Sequence, residues 1–160
     1  MNDLPKNRSM IISIQINNEN HEIEVLPSAI LLNVLRNKLG LTGAKRGCLN
    51  GDCGACTILY NNRPMKSCLL LVVEAHQAEV ITIEGLKDTP IQRAFIDKFA
   101  FQCGYCTPGF IMNSHALLLN DHNPDKEKII TWLSSNICRC TGYKEIEEAI
   151  MTVIESSLKE

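Results

Sequence analysis

The chain has 160 residues, enough for one ordinary domain or two small ones but too few for a multidomain catalytic polypeptide. Its 16 lysines and arginines and 18 aspartates and glutamates give a formal net charge of −2 with no basic block, which argues against nucleic-acid and membrane-surface binding. The longest apolar run, residues 69–73, is far shorter than a membrane span, and the polar start has no signal-peptide core. We therefore expect a soluble, cytoplasmic protein.

The first half of the chain is predicted to form strands around one helix. Apolar and polar residues alternate over 12–16 and again over 23–25, as in half-buried strands. Leucines over 31–39 share one helical stripe, and the glycine-rich segment 41–55 is predicted to be an irregular loop. Three further strands are predicted, the first two as a hairpin with its turn at 61–64: 57–60, 65–69 and 80–83.

The spacing becomes helical after Gly85, so a domain boundary is predicted near residues 84–90, dividing the chain into domains over 8–85 and 86–160. Four short helices are predicted beyond it, and we expect them to form a compact bundle. Their apolar positions are Ile91, Phe95 and Phe99 in the first, Phe110 to Leu119 in the second, Ile129, Ile130, Leu133 and Ile137 in the third, and Ile146, Ile150, Val153, Ile154 and Leu158 in the fourth.

Eight cysteines are too many for ordinary core residues, and their tight spacing in a reducing compartment indicates metal or cluster ligation. Cys48, Cys53 and Cys56 have the C-x4-C-x2-C spacing of plant-type ferredoxins, and Cys68 follows in the predicted hairpin. Nearby glycines allow the loop to curl thiolates around a cluster and to aim backbone N–H groups at its sulfurs. A structural zinc ion is an alternative, although such sites more often use paired C-x2-C knuckles.

The other four cysteines form a C-x2-C pair, Cys103 and Cys106, and a C-x-C pair, Cys138 and Cys140. The gap and the second spacing differ from those of zinc ribbons without excluding zinc. Cys106 and Cys140 each stand just before a predicted helix, so two helix N-termini are expected to face one site. The positive ends of two helices favour an anionic cluster that becomes more negative on reduction.

Three motifs occur together in order: R-G-C-L-N-G-D-C-G-A-C-T at 46–57, F-Q-C-G-Y-C-T-P-G at 101–109 and N-I-C-R-C-T-G-Y at 136–143. With them, residues 10–158 resemble the iron–sulfur subunit of the xanthine dehydrogenase family of molybdenum hydroxylases. The resemblance implies an α+β protein, with an N-terminal β-grasp, 2Fe-2S ferredoxin-like domain followed by an all-α four-helix 2Fe-2S-binding domain. One departure is Leu49-Asn50-Gly51, where some relatives carry Gly-Glu-Gly.

The resemblance also implies roles for individual residues. Gln102 and, less directly, Cys140 match family positions that approach the molybdopterin. The two sets of cluster ligands implied are Cys48, Cys53, Cys56 and Cys68 for the first cluster, and Cys103, Cys106, Cys138 and Cys140 for the second. No residue of this chain is predicted to be catalytic, and its four histidines have no metal-pair spacing.

In that family, electrons pass from molybdenum to the helical-domain cluster, then to the ferredoxin-like cluster and then to FAD. The chain has no room for domains that hold molybdopterin or FAD. The resemblance therefore implies a hetero-oligomer with a molybdopterin-binding large subunit and an FAD-binding medium subunit. The expected complex is of the xanthine dehydrogenase type, with related hydroxylases of aldehydes, carbon monoxide, nicotinate or other N-heterocycles as alternatives.

Two functions of other classes stay open on the sequence. A free-standing ferredoxin with two clusters would use the same eight cysteines to carry electrons between soluble enzymes. A zinc-stabilised interaction module would use them for structure alone. The colour of the protein distinguishes the ferredoxin hypothesis from the zinc hypothesis, because zinc thiolates are colourless and 2Fe-2S proteins absorb visible light.

Overall fold

The computed structural model describes residues 8–158 and contains a five-stranded sheet and five α-helices. Two short 3₁₀ helices, at Ser67–Leu69 and Val72–Ala75, connect the last two strands, and a third, at Ile83–Gly85, follows the final strand. In chain order the main elements are β1 (Met10–Ile16), β2 (Glu19–Val25), α1 (Leu31–Asn37), β3 (Thr57–Tyr60), β4 (Arg63–Lys66), β5 (Glu79–Ile81), α2 (Pro90–Asp97), α3 (Thr107–Asn120), α4 (Lys126–Leu133) and α5 (Lys144–Ser157).

The sheet is mixed, with strand order β2-β1-β5-β3-β4. β1 runs parallel to β5, and the other neighbouring strands are antiparallel. Two asparagines with positive φ form the turn of each hairpin, Asn17–Asn18 between β1 and β2 and Asn61–Asn62 between β3 and β4. Asparagine tolerates the left-handed conformation that tight hairpin turns require, so these residues set the register of both hairpins.

The first hydrophobic core lies between the sheet and α1. β1 contributes its alternate isoleucines, and α1 buries its leucine stripe against them, as the periodicity predicts. The members with the least exposure include Ile12, Leu31, Leu32, Leu35, Ile58, Val72 and Val80. This core anchors both ends of the loop that carries the first three cysteines.

The second core lies among the four helices α2 to α5. Its most buried members include Ile91, Phe95, Phe110, Ile129, Ile146 and Ile150. Thr89 and Gln92 form a capping box that starts α2, and the Asp125 carboxylate accepts a hydrogen bond from the Lys128 N–H at the start of α4. A four-helix arrangement therefore follows the sheet, as expected.

A third, small cluster joins the two halves. Leu59 of β3 packs against Met112 and Ala116 of α3, and all three side chains are almost fully buried. Asn113 of α3 donates to the Trp132 carbonyl at 2.8 Å and so ties α3 to α4 beside this junction. The halves are thus joined through buried side chains, while the exact domain boundary stays a prediction.

The structure differs from the predicted elements in the second strand of the hairpin. That strand was expected over 65–69 and lies over Arg63–Lys66, because the turn tightens to the two asparagines. β4 can contain Pro64, which has no N–H to donate, because β4 is an edge strand. Cys68 therefore lies in the 3₁₀ helix that follows, where the chain can turn it inward.

Several residues expected on buried helical stripes are exposed, including Leu158, which follows the end of α5. Ile137 lies outside α4, which ends at Leu133, and Ile130 faces outward from that helix. Phe99 follows the end of α2 in the left-handed conformation (φ 52°), which turns its ring out of the bundle, so that the residue is 77% exposed. None of the helices within residues 8–158 has the length and apolar composition needed to cross a bilayer.

Candidate functional site: two sets of four cysteines

The first cysteine set consists of Cys48, Cys53, Cys56 and Cys68. The loop between α1 and β3 supplies the first three, and the 3₁₀ helix after β4 supplies Cys68. The N–H of Cys48 donates to the Cys53 sulfur, and the N–H of Cys53 donates to the Cys48 sulfur, both at 3.3 Å. A β-carbon on Gly47 would lie 2.4 Å from the Cys53 sulfur, so this close approach requires glycine there.

Cys56 and Cys68 form the other pair of this set. Both are buried, and the Ser67 hydroxyl fixes the turn by donating to the Cys56 carbonyl at 2.8 Å. Burial and the neighbouring Cys56 thiol raise the pKa of Cys68 to about 12. Partial desolvation raises the pKa of Cys48, but hydrogen bonds from the backbone of Cys53, Asn50 and Asp52 outweigh it and lower this pKa to about 7.

The second cysteine set consists of Cys103, Cys106, Cys138 and Cys140. The first two lie before α3, and the other two lie between α4 and α5. Their thiols also form pairs, Cys106 beside Cys138 and Cys103 beside Cys140. Burial, followed by the neighbouring Cys138, raises the pKa of Cys106 to about 12. The Cys103 thiol raises the pKa of Cys140, which is exposed.

This arrangement of thiols fits a two-iron cluster better than a single ion. Each set provides two adjacent pairs of free thiols, and a 2Fe-2S cluster is held by four cysteine thiolates. Within residues 8–158, no three cysteine, histidine, aspartate or glutamate side chains come together around one metal ion. The two pairs of thiols match the two irons of such a cluster.

Polar groups around the second set give a further test of fit. The hydroxyls of Thr107 and Thr141 are buried without a hydrogen-bond partner, and each belongs to the residue directly after a cysteine of the set. A buried hydroxyl without a partner is unfavourable, whereas sulfur atoms of a cluster would accept a hydrogen bond from it. The polar atoms left without partners thus fit a sulfur-rich group at this site.

The two expected helix N-termini lie near the second set. Cys106 is the N-cap residue of α3, and α5 begins at Lys144, four residues after Cys140. Tyr143, in the left-handed conformation (φ 67°), precedes α5, and its hydroxyl accepts a hydrogen bond from the Cys138 N–H at 2.9 Å. This tyrosine therefore fixes the peptide that carries Cys138, a role that the C-T-G-Y motif contains but that cysteine spacing alone does not reveal.

Direct hydrogen bonds connect the loops of the two sets. The Ile137 N–H donates to the Cys53 carbonyl at 3.0 Å, and the buried Asn136 side chain donates to the Gly54 carbonyl at 3.0 Å. The Tyr105 hydroxyl donates to the Arg46 carbonyl at 2.7 Å. Asn136 and Ile137 escaped prediction because their partners lie more than 80 residues earlier in the chain.

Each cysteine set has a side that faces the surface. Cys48 is exposed in the first set, and Cys103 and Cys140 are exposed in the second. Gln102 is also exposed, directly beside Cys103. The segment leading to it carries three exposed apolar residues, Ile96, Phe99 and Phe101, which we call the α2-end patch. Large exposed apolar groups beside a functional site mark surfaces that bind another molecule.

Two protein-family models match the chain. Residues 3–101 match the family described as a 2Fe-2S iron-sulfur cluster binding domain, and residues 82–151 match the family described as a 2Fe-2S binding domain. The fold and the two cysteine sets therefore define an iron–sulfur protein whose cofactors are 2Fe-2S clusters.

Individual relatives narrow this class. The small FeS subunit of nicotinate dehydrogenase from Eubacterium barkeri is 40% identical over 148 residues, which cover 90% of this chain and 94% of the relative. Caffeine dehydrogenase subunit gamma from a Pseudomonas species is 41% identical over 153 residues, which cover 91% of each chain. The crystal structure of quinoline 2-oxidoreductase from Pseudomonas putida 86 matches with a TM-score of 0.88 and 38% identity, covering 94% of this chain and 97% of that one. The chain belongs to the family of iron–sulfur small subunits of molybdenum hydroxylases, as its three motifs predict.

Proposed function

We propose that this chain is the electron-transfer subunit of a molybdenum hydroxylase complex, and that its two cysteine sets each hold one 2Fe-2S cluster. Cys48, Cys53, Cys56 and Cys68 would hold the first, and Cys103, Cys106, Cys138 and Cys140 the second. When bound, such clusters accept and release one electron at a time. The observation that carries the proposal is the direct contact between the two cysteine loops, in which the Ile137 N–H donates to the Cys53 carbonyl.

The exposed sides of the two sets support a proposal for where each partner binds. A molybdopterin-binding large subunit would cover Cys103, Cys140 and Gln102, with the last two side chains in contact with the pterin. An FAD-binding medium subunit would cover the exposed Cys48 side of the first set. The α2-end patch supports the first contact, because it continues the surface around Gln102 and gives the large subunit an apolar area to bury.

The substrate of the complex is proposed to be an N-heterocycle. The relatives described above are named for nicotinate, caffeine and quinoline, each of which contains nitrogen in a ring. The xanthine dehydrogenase type expected from the motifs therefore becomes one member of a wider group. Substrate choice itself belongs to the large subunit, since no residue of this chain is proposed to touch the substrate. We place the complex in the cytoplasm, where eight free thiols stay reduced until clusters are inserted.

Two matched variants of the intact complex test this function, C106S in the second set and C48S in the first. We expect about four irons per wild-type chain and about half of that in each variant, with molybdenum retained in all three complexes. Substrate should reduce neither cluster in C106S, whereas in C48S it should reduce the second cluster but not the flavin. Stopped-flow absorbance and electron paramagnetic resonance (EPR) distinguish these cases.

Several results would contradict the proposal. Flavin reduction by substrate at the wild-type rate in C106S would show that electrons do not pass through the second set. Zinc without iron in the wild-type protein would support the structural module instead. Iron without molybdenum, in a chain that elutes alone near 17.9 kDa, would support the free-standing ferredoxin. Faster turnover of aldehydes than of N-heterocycles would reject the proposed substrate class.

A further inference from the structure

The buried hydroxyl of Thr141, in the segment between Cys140 and α5, forms no hydrogen bond of ordinary geometry. It lies beside the Cys138 thiol: burial raises the pKa of that thiol, but the Thr141 side chain and N–H outweigh it and lower this pKa. The Thr141 N–H donates to the Cys138 sulfur at 3.3 Å. Thr141 therefore already directs one donor at a sulfur atom of the second cysteine set. Its hydroxyl is shielded from water, so any partner that it has must lie within the protein or within a group that the protein binds.

Several other threonine hydroxyls in the structure have ordinary hydrogen-bond partners. The Thr57 hydroxyl donates to the Gly54 carbonyl, and the Thr152 hydroxyl donates to the Glu148 carbonyl. The Thr82 hydroxyl donates to the carboxylate of Glu84. The two threonine hydroxyls buried without partners, those of Thr107 and Thr141, both directly follow a cysteine of the second set. Of these two, Thr141 is the better placed, because its own peptide is bonded to a sulfur of that set.

We propose that the Thr141 hydroxyl donates a hydrogen bond to a sulfur atom at the second cluster, either the Cys138 thiolate or an inorganic sulfide, and thereby raises the reduction potential of that cluster. The inference rests on the proposed function, since it requires a cluster at the second set. One-electron reduction adds one negative charge there without making or breaking a bond in Thr141. A donor stabilises the more negative state more strongly, so reduction becomes more favourable. Thr141 is thus a tuning residue that acts through the cluster.

A matched pair of variants tests the proposal in the intact complex. T141V replaces the hydroxyl with a methyl group of similar size, and T141S keeps the hydroxyl while removing the methyl group. Potentiometric titration followed by EPR reports both clusters in one sample. We expect T141V to shift the reduction equilibrium of the second cluster about tenfold toward the oxidised form, which is about 59 mV for a one-electron couple. T141S should match the wild type, and the first cluster should not change in either variant.

A second measurement keeps the proposal testable if T141V binds iron poorly. Pulsed EPR in D2O should detect the exchangeable deuteron of the hydroxyl at position 141, coupled to the second cluster, in the wild type and in T141S. That coupling should be missing in T141A, which lacks the hydroxyl and adds no bulk. Loss of the coupling in T141A with the N–H coupling retained would support the hydroxyl as donor.

Three results would overturn the inference while leaving the proposed function intact. The second-cluster potential could stay unchanged in T141V with full iron content. It could shift equally in T141S, or both clusters could shift together, which would indicate a general loosening of the fold. Failure of the proposed function is distinct from these, because the wild-type complex would then lack a second EPR signal and about half of the iron expected for two clusters.

Discussion

Bulky residues in the left-handed conformation help to shape both cysteine loops. Leu49 (φ 63°) directly follows Cys48, and Tyr143 (φ 67°) follows Cys140 by three residues. This conformation costs a side chain with a β-carbon on the order of 1 kcal/mol. At Tyr143 this cost is offset by a hydrogen bond, which the tyrosine hydroxyl accepts from the Cys138 N–H.

His115 gives the chain a defined response to pH. It lies on α3 in a shallow pocket lined by Ile91, Leu118 and Val153, and burial lowers the pKa of its imidazole below the ordinary value. The unfolded chain, with a histidine pKa of about 6.5, therefore binds more protons than the folded chain as the pH falls. Stability is fully present above that pH and is lost as the pH falls from about 6.5 toward the folded-state pKa.

We therefore expect acidification from pH 7.5 to 5.5 to lower the melting temperature less in H115Q than in the wild type. Circular dichroism at the two pH values measures the difference, and the cysteines are identical in both proteins, so acid effects on the clusters cancel. An equal fall in melting temperature in H115Q would show that His115 does not titrate in this range.

At the scale of secondary structure, local patterns predict most elements correctly. The isoleucines of β1 and the leucines of α1 alternate or repeat within a few residues, so their burial can be predicted without knowing the fold. Ile137 fitted the helical spacing of α4, but the helix ends at Leu133, and the Ile137 N–H bonds to the Cys53 carbonyl instead. Such contacts between distant segments have no local signature.

The cysteine sets also combine features that local sequence predicts with features that depend on contacts between distant segments. The spacing of the cysteines is enough to predict two sets of four, because it constrains which metal groups they can bind, and their assignment as cluster ligands stays a prediction. The hydroxyl of Tyr143, the amide of Asn136 and the orphaned hydroxyl of Thr141 depend on how two loops meet. Cysteine spacing carries no information about how the two loops contact each other, so the roles of these residues could be found only from the structure.

Gly109 determines how closely α3 approaches the first cysteine loop. A β-carbon on Gly109 would lie 2.2 Å from the Gly54 carbonyl oxygen and 3.0 Å from the Ala55 α-carbon. Both contacts are to backbone, which cannot move aside as a flexible side chain can. Alanine would normally stabilise a helix interior by about 1 kcal/mol relative to glycine, but here the clash should exceed that gain.

We expect G109A to be destabilised by about 1–3 kcal/mol and to lose cluster absorbance at lower urea concentration than the wild type. G142A is the matched control, because no atom outside its chain neighbours lies within 4 Å of the added β-carbon and its φ is not positive. Urea unfolding followed by circular dichroism and visible absorbance tests both. G109A as stable as G142A would show that α3 can shift without cost.

At the scale of the whole molecule, the sheet and the helices behave as one support for two cysteine sets. Leu59 packs against α3, and Lys66 of β4 donates to the Ser135 carbonyl in the segment before Cys138. Together with the Cys53–Ile137 hydrogen bond, these contacts hold the two sets in a fixed relation. The proposed transfer of electrons between partner subunits requires that fixed relation.

The α2-end patch offers a test of how this subunit joins its complex. Phe99 is 77% exposed, so replacing it should leave the isolated chain folded with its iron content unchanged. We expect F99S to weaken binding of the large subunit roughly 30-fold, the effect of losing an aromatic anchor of about 2 kcal/mol. Gel filtration and titration with the purified large subunit measure the loss.

L158S is the control for that experiment, because Leu158 is also exposed but lies at the end of α5, away from the patch in sequence. Equal binding by F99S and the wild type, or equal weakening in L158S, would show that the large subunit binds elsewhere.

The strand order described above leaves β2 and β4 at the two edges of the sheet, where unpaired backbone groups could recruit a strand from another copy. β2 carries three exposed glutamates, Glu19, Glu22 and Glu24, whose like charges repel a second β2. β4 contains Pro64, which has no N–H to offer, and its Lys66 side chain is already bound to the helical half. Both edges therefore oppose pairing with a strand of another copy, so edge-to-edge aggregation of this chain is disfavoured.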